Sequence, residues 1–238
     1  MLTGGDYHAH LERDSRAVID VLRVADLDAA VPSCPGWTVR DLGRHLGAVH
    51  RWALEIVRTG RPCDEPDGPE EREALVAWME QGAAALLDAV RTADPEAPTW
   101  TFGPEPRRAS FWSRRQAHET SMHLVDARQS VGDVHLVDAV MASDGINEVV
   151  TVFFPRQVRL GRLPPLAHGI RLIATDGSRE SFVLAGDGTH PASGIHATIT
   201  GSAADLLLAL WGRAGLGPLT VDGDPALVRT VLRSGITP

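Results

Sequence analysis

Apolar positions recur at helical spacing through the first part of the chain. Between residues 7 and 27, Leu11, Val18, Val21, Leu22 and Ala25 share one face, the mark of an amphipathic helix. The segment Val31-Pro32-Ser33-Cys34-Pro35-Gly36-Trp37 breaks the pattern with two prolines and a glycine. Thr38 is placed to cap a second helix, with Asp41 three residues on as its partner in a capping box. That helix runs to about Thr59 on an apolar stripe of Leu42, Leu46, Val49, Trp52 and Ala53. Pro62 to Pro69 predicts a loop, Glu70 to Thr92 a third helix, and the Pro- and charge-rich stretch 93–110 a second loop. A fourth helix is expected from about Phe111 to Ser130 and a fifth from about Asp138 to Leu160.

The period changes after Leu163-Pro164-Pro165. Gly169 to Ala174 and Ser181 to Ala185 read as strands joined at the turn signal Asp176-Gly177, and Ile195 to Thr200 alternates like a third. Ala203 to Arg213 predicts a helix, Leu219 to Val221 a short strand, and Pro225 to Arg233 a last helix. The expected class is α+β: a helical bundle over 1–163 followed by a small α/β domain over 164–238.

Composition narrows the chemistry. The chain has 238 residues, room for one large domain or two small ones at about 150 residues each. All 23 Lys+Arg positions are arginine. That excludes a lysine Schiff base and a phosphate-binding lysine of the P-loop kind. A formal net charge of −8 argues against nucleic acid as a partner. Two cysteines, Cys34 and Cys63, make no disulfide framework; Cys34 reads as a small packed residue. No run approaches the roughly 18 apolar residues of a membrane span. The polar start MLTGGDYHAHLERD lacks a signal-peptide core, so a cytoplasmic protein with no membrane partner is expected. Neither GxGxxG, GxSxG nor CxxC occurs.

Histidine is where candidate chemistry gathers. Most of the ten have no positional argument: His8 and His10 lie near the polar N-terminus, His135, His168 and His190 in loops, and His196 in a candidate strand. His45 falls inside the apolar stripe of the second helix, three residues after Leu42 and four before Val49, and so should face the bundle. His50 lies about 140° further round, beside Arg51, on what reads as a wetter face. The run His118-Glu119-Thr120-Ser121-Met122-His123 is one residue too long for the HExxH zinc helix, so His118 and His123 diverge and cannot share an ion. Glu119 and His123, at i and i+4, project together. Carboxylate and imidazole at that spacing suit a divalent metal, although a surface Glu–His pair has the same spacing. With His45 they make three ligands from facing helices, and three ligands with an open fourth position is the catalytic zinc pattern.

These residues also carry a resemblance. Pro35-Gly36-Trp37-Thr38-Val39-Arg40-Asp41-Leu42 followed by His45-Leu46 resembles the opening signature of the mycothiol-dependent maleylpyruvate isomerase family. Arg114-Arg115 ahead of Glu119 and His123, with Asp126 after them, is similar to its second signature. Gly201 to Leu206, Leu210-Trp211-Gly212-Arg213 and Val221 to Asp224 resemble its C-terminal domain. The resemblance implies a DinB-like four-helix bundle carrying zinc on His45, Glu119 and His123, an α/β C-terminal domain, and mycothiol as thiol cosubstrate. In the chemistry so implied, a zinc-held thiolate adds to an activated cis double bond, the new single bond rotates, and expulsion of the thiol leaves the trans product. A thiol S-transferase would stop after the first half.

The expected function is therefore a metal-dependent cis–trans isomerase or thiol S-transferase acting on a small, anionic electrophile. The other reading is a non-catalytic, DinB-like metal-binding protein. Metal-dependent hydrolysis needs a general base near the metal, and the spacing disfavours His118 and Asp126 for that task. Without lysine, an anionic substrate must be held by arginine. Arg213, at the end of the Leu-Trp-Gly-Arg stretch, is the candidate; a helix-end arginine bonded to terminal carbonyls is its plainer role. Arg114 and Arg115 come second, each being equally suited to pair with acids on its own face. Cys34 and Cys63 stand in no helical relation to a ligand, so an external thiol is the expected sulfur nucleophile.

Overall fold

A computed structural model describes residues 2–134, 137–177, 179–188 and 193–237. His135 and His190 lie outside the described residues. The chain groups into two compact units, Leu2–Leu136 and Val137–Pro238.

The first unit holds four helices of equal length: α1 (Gly4–Val24), α2 (Val39–Thr59), α3 (Arg72–Thr92) and α4 (Ser110–Ser130). Capping explains where two of them begin. Thr38 and Asp41 exchange both bonds of a capping box, Thr38 N donating to Asp41 Oδ2 at 2.9 Å and Asp41 N to Thr38 Oγ1 at 3.2 Å. Thr3 and Asp6 do the same for α1, so that helix opens before the first apolar residue of its stripe. α1 and α2 each pack against both α3 and α4. Their core joins Val18, Leu22, Leu42, Leu46, Leu75, Met79 and Leu124. An aromatic group of Trp52, Trp100 and Trp112 packs elsewhere, with ring centroids of Trp52 and Trp112 5.1 Å apart. Trp52 of α2 meets Trp112 of α4 while His45 meets His123, so these two helices run antiparallel. Along α4 the stretch holding Glu119 and His123 lies between Trp112 and the core residue Leu124.

α2 approaches α3 through glycine. A Cβ on Gly47 would stand 2.3 Å from Trp78 Cζ3 and 2.8 Å from Met79 Sδ. Gly47→Ala is therefore expected to destabilise by about 1–3 kcal/mol through overpacking. Urea unfolding checks this; an unchanged midpoint would mean that Trp78 swings aside without cost.

The second unit contains α5 (Ala139–Glu148), a π-helical turn (Val149–Phe153), α6 (Phe154–Arg159), α7 (Ala203–Leu210) and α8 (Pro225–Arg233). Its strands are β1 (Leu166–Ala174), β2 (Ser181–Gly186), β3 (Ile195–Gly201) and β4 (Thr220–Gly223), in the order β2-β1-β3-β4. β1 and β2 form the antiparallel pair expected around Asp176-Gly177, β3 lies parallel to β1, and β4 antiparallel to β3. Phe182 and Leu184 are buried while Ser181 and Val183 are exposed, the period-2 pattern of a half-covered sheet. The periodic segment 138–160 reads in the sequence as a fifth bundle helix, with the domain change near 164. In the structure it groups with the sheet, because α5 packs on α7 and Phe153 meets Trp211 at 5.3 Å. Among the described residues no helix is long and apolar enough to cross a membrane.

Candidate metal centre

His45 comes from α2, and Glu119 and His123 from α4. One ligand atom from each lies within 4.8 Å of the others. Glu119 Oε1 stands 3.5 Å from His45 Nε2 and 3.2 Å from His123 Nε2. A tetrahedral ion with bonds of about 2.0–2.1 Å separates its ligand atoms by about 3.3 Å, so two edges of such a site already have the right length. The donor set, two imidazoles and one carboxylate, is that of a zinc-class ion.

Two of the three ligands, Glu119 and His123, are oriented by a partner that takes the other polar atom. Arg115 Nη2 donates to Glu119 Oε2 at 2.8 Å and leaves Oε1 facing the histidines. His123 Nδ1 bonds Asp126 Oδ2 at 2.9 Å, which directs Nε2 toward Glu119 and His45. Trp37 flanks both rings, edge-on to His45 at 4.8 Å and stacked with His123 at 6.2 Å. The side chain of His45 remains 32% exposed and that of Glu119 18%, so a small molecule can reach the trio.

Electrostatics follow from this packing. Burial alone would raise the pKa of Glu119, but bonds from His123 and His45 and the charge of Arg115 hold it well below the usual carboxylate range. Burial would lower that of His123, yet its bonds to Asp126 and Glu119 push it up to about 9. Without metal, His123 is thus an imidazolium between two carboxylates, and a bound cation would replace its proton.

One expectation needs correction. His50 is not on a wet face: it is fully buried, with Nε2 2.9 Å from Thr120 Oγ1 of α4. Arg51, taken as a sign of water, instead lies over the Trp78 ring at 4.0 Å and donates to the Trp78 carbonyl. Cys34, although no ligand, lies close by: its Sγ is 3.4 Å from Asp126 Oδ2. His118 is near Tyr7 of α1, with ring centroids 6.2 Å apart. Arg115 serves its own helix face by holding Glu119. Asp126 as the partner of His123 was missed as a role, although its i+3 spacing is the signal that could have found it. In the second unit, Arg213 Nη1 donates to the Trp211 carbonyl at 2.9 Å.

Burial of His50 has a pH consequence. Its pKa falls to about 3, chiefly through desolvation, against about 6.5 in the unfolded chain. Between those values the unfolded chain binds the extra proton, so stability falls as the pH drops below about 6.5, by up to about 1.4 kcal/mol per unit. His50→Gln is expected to lose stability less steeply than the parent between pH 7 and 5 in urea titrations. Equal slopes would show that His50 is protonated in the folded state.

The family described as mycothiol maleylpyruvate isomerase N-terminal domain matches residues 8–128, and the C-terminal domain of the same family matches residues 141–230. A crystal structure of the mycothiol-dependent maleylpyruvate isomerase is similar at a TM-score of 0.69 and 17% identity, over 94% of this chain and 95% of that one. A histidine-to-alanine mutant of that enzyme matches at a TM-score of 0.67, with the same identity and coverage. At such identity these structures speak for the fold alone. The search of curated proteins finds no match. Because the two family domains follow one another in order and the first alone spans half of the sequence, this chain belongs to the mycothiol maleylpyruvate isomerase family.

Proposed function

We propose that the chain is an enzyme that uses a divalent metal and a low-molecular-weight thiol, mycothiol by family, on a small anionic electrophile such as an activated cis-alkene. The reaction is cis–trans isomerisation or, where the sulfur stays on the product, S-transfer. One observation carries this reading: Arg115 and Asp126 each take the atom of Glu119 and His123 that a metal would not use. A surface Glu–His pair has no need of such support. The setting proposed is cytoplasmic.

His45, Glu119 and His123 would hold the metal. With Glu119 and Asp126 anionic and Arg115 cationic, a dication such as zinc in place of the His123 proton would leave one positive charge and would favour the thiolate form of a small thiol. Asp126 keeps the Nδ1 proton of His123 and so fixes its tautomer. Trp37 shields one side of both imidazoles from water. Arg213 is proposed to bind the carboxylate of the substrate, although its bond to the Trp211 carbonyl is the one expected of its plainer helix-end role.

The test is turnover of activated cis-alkenes by zinc-loaded protein, with and without mycothiol. No turnover is expected without the thiol. Arg213→Ala should lower kcat/KM about 10- to 100-fold, the loss of one charge-assisted contact, at unchanged metal content. Full activity without any thiol would overturn the mechanism. Bound metal with neither thiol binding nor turnover would favour a non-catalytic metal-binding protein.

A further inference from the structure

We propose that Ser33 and Cys34 are positioning residues for His123, acting through Asp126, and that the turn between α1 and α2 thereby sets the metal affinity of the centre. The last clause rests on the metal-site reading above; the first does not.

Asp126 is fully buried on α4. Its Oδ2 meets His123 Nδ1 at 2.9 Å and receives the Cys34 thiol at 3.4 Å. Its Oδ1 accepts from Ser33 Oγ at 2.5 Å. Both oxygens are therefore held, and a carboxylate held at both ends cannot turn about its Cβ–Cγ bond without breaking charge-assisted bonds. The donors arrive on a turn that is itself fixed. Val31 N donates to the Trp37 carbonyl at 2.9 Å, Cys34 N to that of Val31 at 3.1 Å, and Trp37 N to that of Cys34 at 3.0 Å. Gly36, at φ +86°, supplies the left-handed residue that closes it. The same turn places Trp37 against His45 and His123. A single loop thus delivers an aromatic wall to His45 and His123 and two donors to Asp126, the carboxylate behind His123.

The experiment compares the full-length parent with Ser33→Ala, Cys34→Ala, the double variant, and the donor-retaining Ser33→Thr and Cys34→Ser. Zinc affinity is read by competition with a chromophoric chelator, and the Nδ1 hydrogen bond of His123 to Asp126 by imidazole 15N shifts in the metal-free proteins. Residues bonded directly to a ligand shift affinity about 10- to 100-fold. One step removed, Ser33→Ala is expected to weaken zinc binding about 3- to 10-fold, and the double variant more. Ser33→Thr should restore parental affinity, which repair of packing alone would not predict. The His123 nitrogen shifts should move in the alanine variants and return in the donor-retaining ones. Parental affinity and unchanged His123 shifts in the double variant would overturn the proposal. If the parent binds no zinc, the metal reading fails, while the nitrogen shifts still decide whether the turn positions His123.

Discussion

His45→Ala and His123→Ala are each expected to lower bound zinc from about one per chain to near zero after dialysis. Binding energies of about 10–16 kcal/mol for complete protein zinc sites imply several kcal/mol per ligand, so removing one of three costs at least about 100-fold in affinity. The loss should be specific. His50→Gln keeps a polar group near Thr120, and His118→Ala alters a ring that lies near Tyr7 of α1, so both variants should keep their metal. Elemental analysis of the purified proteins decides the matter. If His50→Gln loses zinc as completely as His45→Ala, the ligand assignment is wrong.

The second large effect is on stability. Glu119 and Asp126 are balanced in the metal-free protein by Arg115 and the imidazolium of His123. Arg115→Met removes one cation and leaves a carboxylate uncompensated in a buried setting, a loss of about 3–5 kcal/mol for pairs of this kind. Urea unfolding in the presence of a chelator should show a drop of that size. Added zinc should recover part of it, since a ligand that binds only the folded state stabilises it. A change below about 1 kcal/mol would mean that water reaches Glu119 freely.

Much of this site could be read along the chain because helical spacing is geometry. Glu119 and His123 stand at i and i+4, and His45 falls on the stripe that Leu42 and Val49 define. The error over His50 has a physical source. Gly43, Gly47 and Ala48 are buried along with the larger apolar residues of α2, yet small side chains hardly register in a hydrophobic stripe. α2 packs against α3 and α4 and also meets α1, and its buried arc is correspondingly wide, reaching His50. Ser33 and Cys34 meet Asp126 across separations of 93 and 92 residues, and no local pattern reports a tertiary hydrogen bond. The strands were clear because β2 alternates strictly. The allegiance of α5 was not, because an apolar stripe shows that a helix is covered and says nothing of what covers it.

The π-helical turn at Val149–Phe153 bears on how this chain should be compared with its relatives. Such a turn carries about one residue more than an α-helical turn, and each residue rotates the following side chains by about 100°. The contact of Phe153 with Trp211 and the burial of Phe154 belong to this shifted phase. Pro155, which could not donate to an α-helical ladder and would crowd the carbonyl four residues back, follows directly. A relative whose helix is regular here must lack one residue between Glu148 and Pro155. Aligned without that gap, every position of its next segment would be matched to the wrong neighbour, and a shared core would look like divergence.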